Sequence, residues 1–322
     1  MASPDLLQRE LKWLGSPTVN HFGTITEIRG LLPTFVRRPF STVSVDGAND
    51  LPSNAFLDVI VRTPLNEGDE EIPVGVVSKQ YQLVQHAEVL DKAIEAIKKA
   101  GIAPEKVKAD LTITKYGERV GLHLQFPEEY GLDPGDGHRL ALRLGCFNSV
   151  DGSTKFRAVL GWIRFVCSNG MIVGSARTDF RSRHTQSLQV EGLYELLEDG
   201  IDRAIKEKDN LQRWVKTPLG EQKLVEWVDG PLAKKWGIKA ATRAFHIARK
   251  GKDVHVVPFT EKLPPSEKEV EFLDAVPGSS EAAKNLYAVS QVLTWLAGQR
   301  SDIEEQLSWQ RDVPDLMMGL AG

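Results

Sequence analysis

The sequence predicts an α+β fold: antiparallel β-hairpins with a packed helix, followed by a helical C-terminal region. Three observations predict it. A strong amphipathic helix over His86–Ala100 precedes two back-to-back stretches in which apolar and polar residues alternate with period two. The last third then changes to a 3.6-residue apolar period. Strands, one helix, more strands and then helices is not the regular alternation that builds a parallel sheet.

Taken in order, residues 1–71 read as an extended or irregular N-terminal arm. Leu6, Leu11, Trp13 and Leu14 form a short helical pattern ended by Gly15-Ser16-Pro17, and Pro33, Pro39, Pro52 and Pro64 leave room only for short strands. Phe56–Val61 is the best strand among them. Residues 72–187 read as an α+β core. Ile72–Val77 is a strand, and the helix after it carries Leu90, Ile94 and Ile97 on one face. Glu88 and Asp91 lie early in that helix, Lys98 and Lys99 late, and Gly101 just beyond, each suited to the helix dipole or the left-handed closing position. In the first hairpin Val107, Ala109, Leu111 and Ile113 face Val120, Leu122, Leu124 and Phe126 across a turn at Tyr116–Glu118. The second hairpin runs from Arg139 to Phe147, turns through Asn148–Ser153 and returns along Phe156–Cys167, with a further turn at Ser168-Asn169-Gly170. Residues 188–322 read as helical: Leu188–Trp214, Pro231–Lys250 broken at Gly237, a proline-rich connector over Pro258–Gly278, and a last helix from Ser280 through Leu296.

Composition narrows the function. Forty Lys and Arg against 44 Asp and Glu give a net charge of -4, which excludes coating nucleic acid by bulk charge but leaves local patches open. The two cysteines, Cys146 and Cys167, sit in apolar runs and read as buried free thiols of a reducing compartment. With no apolar run of membrane-spanning length and no signal-like start, a cytoplasmic protein without membrane contact is expected. Phosphate-loop, His-Glu-x-x-His, Cys-x-x-Cys and Gly-x-Ser-x-Gly motifs are absent, and the seven histidines show no metal-ligand spacing. The expectation is therefore no cofactor, no metal and no catalytic residue.

Charge distribution says more. Between Arg139 and His184 stand eight cations, seven of them arginine, against Asp151 and Asp179 alone. Arginine grips phosphate in two-point geometry, and here Arg143, Lys155, Arg157, Arg164, Arg177, Arg181 and Arg183 are interleaved with Phe156, Trp162, Phe165 and Phe180. Single-stranded nucleic acid is bound by that mixture, cations on the backbone and rings on the bases. A second patch, Pro231–Lys252, contains Lys234, Lys235, Lys239, Arg243, Arg249, Lys250 and Lys252 and no acid. Its bland alternative is packing on the acidic helix from Glu191. Asp151 reads as a turn residue bonding its own backbone.

The order Tyr81-Gln82-Leu83-Val84, Gly117-Glu118-Arg119-Val120, Asn148-Ser149-Val150-Asp151-Gly152-Ser153 and Arg164–Met171 with its Asn169-Gly170 resembles the phage/plasmid-like family catalogued as domain of unknown function 932. Asn285–Val289 with Thr294-Trp295 is similar to that family's C-terminal helix. The resemblance implies a mobile genetic element as the setting and hands over no enzymatic activity. By a looser analogy of fold, the hairpins suit a subunit of single-strand annealing proteins.

The expectation is thus a non-enzymatic, annealing-type single-stranded nucleic-acid-binding protein, with DNA favoured over RNA, acting as a homo-oligomer. Arg157, Arg164, Arg181 and Arg183 are expected on phosphates and Phe156 or Trp162 under a base. Asn148, Ser149, Asp151 and Gly152 would hold the turn. The rival is an interaction component of a defence or counter-defence system, whose basic faces dock an acidic partner. A metal-dependent nuclease requires Asp110, Glu118 and Asp151 to converge.

Overall fold

A central antiparallel sheet explains most of the alternation. The computed structural model describes residues 17–41, 53–135, 138–164, 169–172, 179–182, 190–255, 270–277, 279, 281–300 and 303–322. The sheet has seven strands. Strand β1 (Thr18–Thr24) is followed by helix α1 (Ile25–Gly30), and its neighbours are β5 (Lys108–Thr114), β6 (Arg119–Gln125), β7 (Leu140–Ser149) and β8 (Phe156–Arg164) in that spatial order. The far edge of β8 is shared by β9 (Asn169–Ile172) and β10 (Asp179–Ser182). A second, three-stranded sheet consists of β2 (Phe35–Pro39), β3 (Leu57–Arg62) and β4 (Ile72–Ser78). The described part of the 1–71 segment, residues 17–41 and 53–71, is therefore not an arm. Its strands belong to both sheets, and a boundary at residue 71 would part β3 from its partner β4. The short helix expected around Leu6–Leu14 lies outside the described residues.

One face of the large sheet carries Leu111, Leu122, Leu124, Leu142, Leu144, Cys146, Phe156, Leu160 and Trp162, all buried in one core with α2 (His86–Lys99) and α3 (Val190–Lys216). Helix α2 buries Val89, Leu90, Ala93, Ala96 and Ile97, with the expected Ile94 partly buried beside them, and its branched side chains contribute roughly 1.5–3 kcal/mol each when fully buried. It ends as expected, with Gly101 at φ 77°. Burial pushes the Cys146 thiol up to about 12, which makes it inert at neutral pH.

The helical C-terminal region is present. Helix α4 (Glu221–Trp227), a π turn over Val228–Leu232, α5 (Ala233–Trp236) and α6 (Ile238–Lys250) follow one another, with the break at Gly237. Two departures from the sequence reading stand out. Within the expected connector, β12 (Glu271–Ala275) pairs with β11 (Lys252–His255). Beyond α7 (Leu286–Gly298) a further helix, α8 (Ile303–Ala321), runs through Pro314. Asn285 caps α7 by accepting from the Ala288 amide at 2.8 Å and donates to the Val215 carbonyl at 3.0 Å, tying α7 to the end of α3. Among the described residues no helix is long and apolar enough to cross a membrane.

Candidate nucleic-acid interface

The fold does not gather the predicted contacts. Phe156 and Trp162 alternate with Ala158 and Leu160 and point into the core, so neither ring is available to a base. Arg157 points to the opposite face but is 1% exposed, because α8 lies over it and Glu304 accepts from its Nη1. Both placements contradict the expected stacking and phosphate roles. In the second patch, Lys235 pairs with Asp312 at 3.1 Å, Arg249 with Glu221 at 2.9 Å, and Arg243 with Asp253 through Nε at 2.9 Å and Nη2. Lys155, Lys234 and Lys239 stay exposed. Arg177 and Arg183 lie outside the described residues. Arg164, Arg181, Asn169 and Gly170 are located by their backbones alone, Arg181 opposite Arg157 and Arg164 opposite Asn169; Asn169 and Gly170, expected in a turn, belong instead to strand β9 paired with β8.

Ser149, Asp151 and Asn148 form the joint between the two sheets. Asn148 Nδ2 donates to the Val84 carbonyl at 3.1 Å and to His86 Nδ1 at 2.9 Å. The His86 Nε2–H in turn donates to the Gly117 carbonyl at 2.9 Å. Tyr81 donates its hydroxyl to the Ser149 carbonyl at 3.0 Å, and Ser149 Oγ donates to the Thr154 carbonyl at 2.9 Å. Asp151 Oδ1 accepts from the Ser153 amide at 3.0 Å, while Arg119 Nε reaches Oδ2 at 2.9 Å. Gly75 of β4 passes so close that a Cβ there would lie 2.6 Å from the Asp151 Cα. The donors of these groups are used within the cluster, while Asn148 Oδ1 is buried without a hydrogen-bond partner among the described residues; the cluster reads as architecture.

The second face of the large sheet has a different character. Strand register sets three rows across it. The first is Thr24–Lys108–Gln125–Arg143–Gly161, the second Phe22–Asp110–His123–Gly145–Val159, and the third Asn20–Thr112–Gly121–Phe147–Arg157. Helix α8 covers one end of this face, where Leu307 packs on Phe147 and Val159. Toward β1 the face opens: Lys108 is exposed, and Phe22 presents an aromatic ring that is 57% exposed.

Between these ends lie three titratable groups that hold no hydrogen bond or ion pair among the described residues: Asp110, His123 and Arg143. Burial, opposed by Asp110, lowers Arg143 to about 10. Burial also raises the Asp110 carboxyl, offset in part by Arg143. His123 is 8% exposed, and burial together with Arg143 holds it well below its usual 6.5. Its Nδ1 has no partner, and its ring meets Phe147 edge-on at 5.4 Å. A guanidinium in such surroundings, with no partner among the described residues, has donors suited to an anion or an acceptor edge. Strand alternation carries part of the signal for this site, since all three residues occupy the non-core positions of their strands.

The His123 shift sets a pH dependence. Unfolded chains bind a proton near pH 6.5 that the folded protein refuses, so stability falls as pH drops below 6.5, by up to about 1.4 kcal/mol per unit. Urea titrations between pH 7 and 5 are expected to show a shallower loss for His123→Gln than for the parent. Equal slopes would show that His123 does not titrate in this way.

The profile of one family, domain of unknown function (DUF932), matches residues 73–257, more than half of the chain. The chain belongs to the DUF932 family. It is also similar to the UPF0380 protein YafZ of Escherichia coli (strain K12), 34% identical over 83 residues, which cover 24% of this chain and 30% of that protein. The match thus spans less than a third of that relative. No solved structure matches. The DUF932 segment contains Asp110, His123, Arg143 and the whole Asn148–Ser153 joint, whereas Phe22 and α8 lie outside it. Among the described residues no group of three His, Cys, Asp or Glu side chains is placed to hold a metal ion. Asp110 lies in mid-strand while Asp151 is taken up by Arg119, so the convergence a nuclease requires does not occur there.

Proposed function

We propose that this DUF932 protein binds single-stranded nucleic acid, DNA in the first instance, on the open second face of its large sheet. The observation that carries the proposal is Arg143, a partly buried guanidinium with no partner among the described residues, in one row with the exposed Lys108 and on the same sheet face as the exposed ring of Phe22, three strands away. Cations that follow a phosphate backbone next to a ring that accepts a base are the minimum equipment of a single-strand platform. Lys108 and Arg143 take phosphates or base acceptors, and Phe22 stacks. The proposal keeps the ligand class read from the sequence and moves the contacts from Phe156, Arg157 and Trp162 to this face.

It extends to an annealing-type assembly in a mobile-element setting. The β1 edge, Thr18–Thr24, has no charged residue to discourage strand addition by a second copy, which supports that extension. The rival role, docking a protein partner, finds support in the small sheet, where Val76 and the nearby Phe56 are exposed.

Polarisation of a labelled oligothymidylate tests the proposal. Affinity is expected to fall steeply with salt, and Arg143→Ala to weaken binding about tenfold and reduce the salt slope by about one. Absence of binding at low salt would overturn the proposal and leave the protein-docking role in possession.

A further inference from the structure

Asp110 and Arg143 carry opposite charges on β5 and β7, two strands apart, yet they form no ion pair. His123, on the strand between them, is the cross-strand partner of Asp110 and a diagonal neighbour of Arg143. Its ring lies against the sheet, with Nδ1 3.3 Å from the place a Cβ on Gly145 would take and Nε2 3.5 Å from that of Gly121. A neutral imidazole thus separates an acceptor fork from a donor fork, and neither fork is used within the described chain. Phe22, paired with Asp110 in register, supplies an exposed flat ring at the acceptor end.

We propose that this acceptor–donor pair selects guanine among the bases of the bound strand. Guanine offers two acceptors, O6 and N7, in the spacing a guanidinium grips, and two adjacent donors, N1–H and the exocyclic amine, that a carboxylate accepts. Adenine and cytosine each offer a single exocyclic amine, and thymine has only one donor between two carbonyls. Arg143 takes the O6/N7 edge and Asp110 the N1/N2 edge, while Phe22, on the strand beyond Asp110, stacks on a neighbouring base of the bound strand. The inference rests on the proposed binding of single strands to this face and adds to it a base preference.

The test uses oligothymidylates of about 15 nucleotides in which three central positions carry guanine, inosine, adenine or cytosine, measured by polarisation at one salt concentration. Guanine is expected to bind about tenfold tighter than adenine or thymine, the discrimination a good bidentate contact supplies. Inosine, which lacks the exocyclic amine, is expected to lose several-fold of that gain, and Asp110→Asn to lower the guanine-to-thymine ratio. Equal affinity for all the oligonucleotides, or undiminished preference with inosine, would overturn base selection and leave the binding face standing. Failure of every oligonucleotide to bind would overturn both. Competition by free glycine at the same site, with no preference among bases, would assign the two forks to an amino-acid zwitterion and overturn the inference.

Discussion

Arg157→Ala is expected to lower the free energy of unfolding by about 3 kcal/mol in urea titrations, while Arg157→Met stays within about 1 kcal/mol of the parent. The guanidinium is sealed under α8 and bonded to Glu304, whose own side chain remains 43% exposed. Removing the arginine leaves a cavity beneath the helix, whereas the carboxylate left behind is rehydrated. Methionine refills the space without a charge. Were Arg157 a phosphate contact, the methionine variant would fold equally well but lose affinity for single strands. Unchanged affinity with Arg157→Met is the expected outcome.

The second large effect is at the joint between the sheets. Asn148→Leu keeps the side-chain volume but removes both amide donations, leaving the Val84 carbonyl and His86 Nδ1 without them in a buried site. Each acceptor that loses its donor costs about 1–3 kcal/mol, and removal of Asn148 Oδ1, itself buried without a partner among the described residues, offsets part of this, so a net loss of about 2 kcal/mol is expected, read as a lower urea midpoint. Tyr81 and Asp151 still hold the turn, through the Ser149 carbonyl and Arg119. A loss below about 1 kcal/mol would show that the turn is held without Asn148.

How far the sequence could be read follows from these two residues. The two hairpins and α2 were legible because alternation and the helical period are local, and they are borne out at nearly the expected ends. The same alternation already placed Phe156 and Trp162 on one side with Ala158 and Leu160. Reading them as solvent-facing set composition above periodicity. Arg157 is different: its strand position faces outward, and only a helix about 147 residues later in the chain buries it. Nothing local announces that helix, since its first turns are acidic and Pro314 interrupts its pattern. Of the N-terminal strands, β3 matches the expected Phe56–Val61, whereas β1 and β2 are short, partly exposed and carry no strong local signal; pairing with β5 and within the small sheet stabilises them. The Asp110–His123–Arg143 group needed the register of β5, β6 and β7, which the hairpin turns set and single-strand reading does not supply.

Ultraviolet cross-linking of a bound single-stranded oligonucleotide, followed by mass spectrometry of the peptides, tests the location of the binding face most directly. Cross-links are expected on β1 at Phe22, suppressed by Phe22→Ala. Cross-links confined to the basic segments 155–183 or 231–252, with β1 unmarked, would contradict this location.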